Sequence, residues 1–509
     1  MRPRIAIAAA GALLACAACR STGRAHAATS PAGGGAGSVL EHHGGPRRDG
    51  IYVDPTLTPA SAAAFHVDPS FHADLRGPIY AQPLYFAGGP GGKDLVIAAT
   101  EQDEVAAFDA RSGATVWKRR LGDPVPLSRL PCGNIDPLGI TGTPVIDASG
   151  RTLYLDAMTT PDGGTTKRHL VYALSLDDGS TRPGWPVDVS ASATFAGLSF
   201  DSAVQNQRGA LALVGGVLYV PYGGHSGDCG DYRGWLVGIP VANPSAVTAW
   251  AAGARGGGIW APSGVSSDGS ALFAATGNTF GATTWSGGEA LLRFTAGPAF
   301  GGGPADYFTP SNWRTLDAGD VDIGSTGPVL VDVAGATPSQ LLVGLGKDGY
   351  AYLVDRARLG GVGGQVAMAR VSSTPIINAA AAYSTGGATY VVFRGVGTAC
   401  PAGQSGDLTA LRIVPGTPPT IATAWCARQG GRGSPMVTTT DGHSRPIVWS
   451  VGAEGDERLR GFDGETGRVV RDGGGPGDAL GSVRRFQTPI LAGGRIFVAT
   501  DGGVVAFVR

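Results

Sequence analysis

YAQPLYFAGGPGGKDLVIAATEQDEVAAFDARSGATVWKRRL, residues 80–121, holds four short apolar runs separated by turns. AQPLYF leads into a Gly-rich turn, DLVIAAT into the polar turn EQD, and EVAAFDA into Ser112-Gly113 before the closing run TVWKRRL. Runs of this length, rich in β-branched and aromatic residues and punctuated by Gly, Asp and Ser, read as the strands of a meander. The order returns along the chain. RTLYLDA and HLVYALSL form a second unit, QLLVGLG, KDG and YAYLVD a fifth, and PIVWSVGA, EGDER, LRGFDGETG and RVVR a seventh.

A second signal fixes the period. Units open on a small or polar residue, a proline and an aliphatic or small residue: AQPLY at Pro83, TGTPV at Pro144, WAPSGV at Pro262, STGPV at Pro328, SSTPI at Pro375, GSPMV at Pro435 and QTPIL at Pro489. The gap from Pro144 to Pro262 is about twice the others, and NQRGALAL at Asn206 to Leu213 falls in its middle as the same unit without its proline. A period of roughly 40 to 60 residues built of strands and turns belongs to a β-propeller. The expectation is an all-β, eight-bladed propeller of four-stranded antiparallel blades over residues 62–509. The last unit, from Gln487, has only about three strands, and Ala62 to Leu75 has no unit of its own. That segment is predicted to supply the outermost strand of the last blade, which hides an otherwise unpaired sheet edge.

Composition agrees. Of 509 residues, 84 are Gly and 35 are Pro while 16% are charged, so turns are abundant and long amphipathic helices are not expected. Net charge is −1 with no long run of Lys/Arg, which argues against nucleic-acid binding. Residues 1–27 carry Arg2, Arg4 and an apolar stretch from Ile5 to Ala18, the order of a secretory signal. Leu13-Leu14-Ala15-Cys16 resembles a lipobox, with Cys16 as the lipidated residue, and Ala25-His26-Ala27 offers an ordinary cleavage site. Export is therefore expected, as a lipoprotein on the periplasmic face of the outer membrane or as a periplasmic or secreted protein. Cys16 and Cys19 are spaced as in a haem-attachment motif, but Arg20 stands where that motif requires His. Residues 28–61 show no periodicity and read as a flexible tether, with His42-His43 a solvated pair.

The run AAFDARSGATVW, Ala106 to Trp117, resembles the A-x-D-x-x-x-G-x-x-x-W repeat of the quinoprotein-dehydrogenase-like propellers, in which the tryptophan docks one blade on the next. RGFDGETGRVV at Arg460 to Val470 is similar with Val in the Trp position, and YALSLDDGSTRPGW, ending at Trp185, is a stretched version. The longer series through CGNIDPLGITGTPV, YFTPSN and GKDGYAYLVDR resembles secreted bacterial proteins known only as pyrroloquinoline-quinone-like repeat proteins. The repeat implies the fold and leaves activity open, since it occurs in dehydrogenases and in non-catalytic propellers.

Meander topology brings the residues before each first strand and the turns between second and third strands to one face. Gln82, Thr143, Arg208 and Trp260 fall there, with Asp103, His225, Asn278, Lys347 and Glu454, as candidates for a ligand face. Cys132, Cys229, Cys400 and Cys426 map to the same face. In an exported protein they are expected as two disulfides, Cys132 with Cys229 and Cys400 with Cys426. Thr276-Gly277-Asn278 resembles the T-G-N of quinoprotein alcohol dehydrogenases, and the resemblance implies a role for Asn278 in holding calcium beside the quinone. No matching glutamate is assigned, and the family's adjacent Cys-Cys pair and a clear D-x-D run for the catalytic base are read as absent. Thr276-Gly277-Asn278 is therefore read as a structural turn in which Gly277 and Asn278 accept positive φ. His225 reads as a hydrogen-bonded loop residue, Lys347-Asp348-Gly349 as a tight turn, Arg208 as an anion site or a salt-bridge partner, and Trp260 as a ligand platform.

The expected function is that of an exported, monomeric, non-catalytic propeller that binds a protein partner or small ligand and has no assigned cofactor or metal. The alternative is a pyrroloquinoline-quinone and calcium dependent alcohol or sugar dehydrogenase.

Overall fold

In the computed structural model, which describes Met1 and residues 37–509, eight mostly four-stranded sheets follow one another along the chain. Blade 1 is typical. Leu84–Phe86, Leu95–Ala99, Glu104–Asp109 and Thr115–Arg120 pair antiparallel in sequence order, from the innermost strand outward. Helix is confined to short pieces, of which Trp313–Gly319 is the longest α-helix, and no helix among the described residues is long and apolar enough to cross a membrane. The signal segment and Cys16 lie outside the described residues.

The apolar core is a series of layers between blades. One layer joins Leu95, Ile97 and Ala107 of blade 1 to Leu153, Leu155 and Leu174 of blade 2, and the next joins Val171 and Ala173 to Leu218, Val220 and Val237 of blade 3. Both faces of each sheet are buried, so the strands read as nearly continuous apolar runs. Trp117 shows how blades dock. Its indole Nε1 donates to the Leu176 carbonyl at 2.8 Å, and its ring packs on Gly179, where a Cβ would stand 2.7 Å from the ring. Trp425 donates to Gly464 of blade 7 in the same way.

The ring closes as the leftover segment requires. His66–Val67 and Ala73–Asp74 pair antiparallel with Gly503–Val508, outside the three strands of the last blade.

The tether expected at residues 28–61 is overturned for its described part. Residues 39–53 lie along the inner edges of the innermost strands. Val39 bridges Tyr85 of blade 1, the Leu40 carbonyl accepts from Ile146 of blade 2, and Pro46 from Ser267 of blade 4. Arg47 accepts from Leu330 of blade 5, Asp49 from Ala382 of blade 6 and Gly50 from Val437 of blade 7, where Ile51–Val53 adds a parallel strand to Met436–Thr439. Blade 3 is reached through Arg48, whose Nη2 donates to the Leu211 carbonyl at 2.8 Å. His42 Nε2 stands 3.4 Å from Thr488 at the start of blade 8. The segment thus plugs the axial channel. The inner edge of every first strand leaves backbone groups without a ladder partner, and this segment supplies partners one blade at a time. His42 and His43 are accordingly buried, not solvated, and their rings stack at 4.4 Å.

Candidate functional site

On the side of the channel where the first strands begin, a funnel of about 220 Å³ is lined by residues from six of the blade connections and from the inner turns of blades 3, 4 and 5. Arg208 precedes the first strand of blade 3, and Trp260 that of blade 4. His225 and Asp228 come from the inner turn of blade 3, Asn278 from that of blade 4 and Lys347 from that of blade 5. Asp320 and Asp322 follow the helix Trp313–Gly319, Asn134 comes from the blade 1–2 connection, and Arg485 and Phe486 from the blade 7–8 connection. The funnel adjoins a second cavity of about 460 Å³ that shares Asp228, Asn278 and Asp320 and is bordered by Phe280 and Arg314.

Three cations face the funnel, and their partners differ. Lys347 Nζ lies 2.7 Å from Asp320 Oδ1 and 2.7 Å from Asp322 Oδ2. Burial acts to lower its ammonium, but the two carboxylates outweigh that and raise it. Arg485 is held by Glu454 through contacts of 2.8 to 3.0 Å. Arg208 has no such partner. Among the described residues no carboxylate pairs with it, its Nε is buried without an acceptor, and its guanidinium lies between the rings of Trp260 and Phe486, 5.9 and 6.0 Å from their centroids. Burial lowers its proton affinity while Tyr80 and Glu101 act from a distance in the opposite sense. Lys347 Nζ stands 5.4 Å from the Trp260 ring, so that ring is flanked by two cations.

The acids lie deeper. Burial raises Asp322, opposed by Lys347, and its Oδ1 has no donor. Behind it Glu289, strongly raised by burial and by Asp322, accepts the Ile323 amide through Oε2 while Oε1 stays unpartnered. Glu101, under blade 1, is pushed up to about 7 by burial, with the Gly139 amide on Oε2 at 2.8 Å opposing the shift.

Five of the nine expected ligand-face residues meet in the funnel: Arg208, His225, Trp260, Asn278 and Lys347. Gln82 does not. It is a pin for the plug, its Oε1 accepting from the His43 amide at 3.0 Å and its own amide donating to Thr143 Oγ1 at 2.9 Å. Asp103 also lies outside, fully buried at φ 56° and raised well above the usual carboxylate range by burial and by Glu101. His225 is lowered to about 4, by burial, and its Nε2 lies 3.2 Å from the Ala203 carbonyl, the hydrogen-bonded loop residue expected. Gly277 and Asn278 do not have positive φ. Gly277 is required because the Trp260 indole packs on it, with Nε1 3.0 Å from where a Cβ would stand. The expected absence of a D-x-D run is corrected: Asp320-Val321-Asp322 is one, and both of its carboxylates line the funnel. Both disulfides form, with Cα separations of 6.0 Å for Cys132–Cys229 and 5.6 Å for Cys400–Cys426.

A flat aromatic polyanion matches this lining, with Trp260 as platform and Arg208 as an uncompensated cation. A calcium ion does not. It takes about six to eight oxygen ligands, whereas Lys347 already neutralises Asp320 and Asp322, and no three His, Cys, Asp or Glu side chains among the described residues converge on a cation position.

No family profile and no curated protein matches the chain. Among solved structures it is similar to the quinohemoprotein alcohol dehydrogenase from Comamonas testosteroni, 14% identical over 92% of this chain and 80% of that one, TM-score 0.63. A quinohemoprotein alcohol dehydrogenase from Pseudomonas putida is 13% identical over 91% of this chain and 75% of that one, TM-score 0.62. A europium-containing methanol dehydrogenase is 14% identical over 91% and 89%, TM-score 0.60. In fold, the chain is an eight-bladed β-propeller similar to those of these dehydrogenases.

Proposed function

We propose that the axial funnel binds a planar aromatic polycarboxylate of the pyrroloquinoline-quinone class. The observation that carries the reading is the unpaired Arg208 guanidinium against the Trp260 ring. A carboxylate of the ligand would supply the missing counter-charge, its rings would stack on Trp260, and Lys347 would hold a second oxygen. Room comes from the funnel together with the adjoining cavity. The test is titration of the purified protein with pyrroloquinoline quinone, followed by tryptophan fluorescence and ligand absorbance. Saturable binding is expected, weakened about tenfold or more by Arg208→Gln and by Trp260→Ala. No binding at a quinone concentration of about 1 mM would defeat the proposal.

Asp320-Val321-Asp322 beside Asn278 favours a second reading, oxidation of an alcohol or sugar by the bound quinone. The quinone would supply the two-electron acceptor, and the Asp322 carboxylate would take the hydroxyl proton. The Lys347 contact opposes it, since a carboxylate paired to an ammonium is a weaker base. Dye-linked alcohol oxidation with added quinone, lost in Asp322→Asn, would establish it; no turnover in quinone-saturated protein would leave binding alone.

The reading extends to an exported monomer. The two disulfides support export. The intact mass of the mature chain and light scattering test these two points.

A further inference from the structure

The wall of the funnel formed by residues 225–228 and Asn134 comes from two loops far apart in the chain. Residues 126–137 belong to the blade 1–2 connection, and residues 224–234 to the inner turn of blade 3. Each loop is tied to its own surroundings. In the first, Val125 bridges Leu138 and the Leu127 amide donates to Asp136 Oδ1 at 3.0 Å. In the second, Tyr232 Oη donates to Asp228 Oδ1 at 2.6 Å and Arg255 Nε to the Gly230 carbonyl at 2.7 Å. Between the two loops, among the described residues, there is no hydrogen bond and no ion pair; the Cys132–Cys229 bond is the one tie. It lies directly behind the wall, since a Cβ on Gly227 would stand 3.2 Å from Cys132 Sγ and 3.9 Å from Cys229 Sγ. Both cysteines are part-exposed.

The second disulfide is placed differently. Cys400 and Cys426 lie in one blade, Cys426 is buried in its outermost strand, and the Gln404 side chain already accepts from the Cys426 amide at 2.9 Å. Its loss leaves that loop held by other bonds.

We propose that Cys132–Cys229 is a redox-sensitive latch of the funnel: intact, it holds Asn134 and the blade 1–2 connection against the ligand, and reduced, it frees that loop and weakens binding. This rests on the quinone-class reading for its ligand but not for its loop motion. To reach the reduced state, a dithiol's first thiolate attacks one sulfur of the intact disulfide and its second resolves the mixed disulfide, so that the S–S bond becomes two thiols and the dithiol becomes a cyclic disulfide.

The test uses the full chain carrying Cys400→Ser and Cys426→Ser, first oxidised, then reduced with dithiothreitol, alkylated and desalted, beside Cys132→Ser/Cys229→Ser. Hydrogen exchange at residues 127–134 should rise about tenfold or more on reduction, and the pyrroloquinoline quinone dissociation constant should rise about tenfold, because the loop must be re-ordered on binding. Reoxidation of unalkylated protein should restore both, while the oxidised Cys400→Ser/Cys426→Ser chain should match wild type. Unchanged exchange in the alkylated protein overturns the latch whether or not quinone binds. Increased exchange with unchanged affinity overturns its role in binding. Absence of quinone binding in the oxidised wild type defeats the ligand reading instead, and exchange alone then decides the latch.

Discussion

Replacing Arg48 by Met should loosen the axial plug and destabilise the whole ring. Arg48 is fully buried and spends its guanidinium on four partners: Nε donates to the Val265 carbonyl at 2.9 Å, Nη1 to Glu41 Oε2 and the His42 carbonyl at 2.9 Å each, and Nη2 to the Leu211 carbonyl at 2.8 Å. Methionine fills the space of the aliphatic stem but answers none of these acceptors. Three buried carbonyls lose a charged donor, and Glu41, already raised by burial with Arg48 opposing, loses its counter-ion and takes up a proton. Each orphaned group costs about 1–3 kcal/mol before relaxation, and a broken buried ion pair typically costs about 3–5 kcal/mol, so a net loss of about 3–5 kcal/mol is expected. With an unfolding entropy of about 2 cal/mol/K per residue, this large a chain loses only about 1 °C of Tm per kcal/mol, which gives a fall of about 3–5 °C by calorimetry. Hydrogen exchange is the sharper assay. The amides of Ala382 and Val437, which donate to Asp49 and Gly50 of the plug, should lose protection while blade interiors keep theirs. Arg48→Lys should fall nearly as far, because one ammonium cannot span blades 3 and 4. A Tm within about 1 °C of wild type, with protection unchanged at both amides, would refute the view that residues 39–53 hold the blades together.

Three further outcomes follow from the buried charges. Arg208→Met should raise Tm by about 1 °C in the free protein, since it removes an uncompensated, part-buried cation, while quinone titration shows binding lost; a lower Tm would mean that the cation has a partner in the folded state. Glu101 is raised, so between pH 4.5 and 7 the unfolded chain gives up a proton the folded chain keeps, and stability falls as pH rises through that window. The Tm advantage of Glu101→Gln should therefore grow by about 3 °C from pH 5 to pH 8, and a constant gap would contradict the shift. His43 is lowered to about 4 by burial, so the unfolded chain takes up a proton first and stability is lost as pH falls from 6.5 towards 4. His43→Gln should flatten that limb of the Tm profile by about 3 °C, and an equally steep limb would show that His43 is not the group responsible.

How much of this was legible follows from what repeats. Pro83, Pro144 and their counterparts recur because each sits at the same step of a blade, so eight units, and then the orphan strand before Tyr80, could be counted. Residues 39–53 carry no such signal, because Leu40, Pro46, Arg47, Asp49 and Gly50 each address a different blade and nothing in them repeats. Their Gly, Pro and Arg content resembles a linker for that reason. Topology placed Arg208, Trp260, Asn278 and Lys347 on one rim, but it gave only a face and not a depth. Gln82 and Asp103 share the rim positions and are nevertheless buried, Gln82 beneath the plug and Asp103 under blade 1. Asp322 and Glu289 escaped because a carboxylate in a connection reads as a turn residue until a neighbouring amide or ammonium is seen on it.

Unpaired polar atoms gather at the funnel as well as elsewhere in the ring. Arg208 Nε and Asp322 Oδ1 in the funnel, and Thr141 Oγ1 and His42 Nδ1 at its floor, are buried without hydrogen-bond partners, as are Tyr52 Oη, Arg356 Nη1 and Arg471 Nη2 away from it. The interblade layers are mostly apolar, and where blades 2 and 3 meet the buried Asp156 is paired, with His169 Nδ1 at 2.7 Å and with Tyr222 Oη donating at 2.8 Å. Nothing in ring closure needs an unpaired guanidinium on the axis. The plug makes this sharper, because it closes the channel below Arg208 and leaves approach from one side only. Unanswered charge at the blind end of a funnel lowers the stability of the free protein and is recovered when a ligand of opposite charge enters, the pattern of a binding site and not of a structural pore.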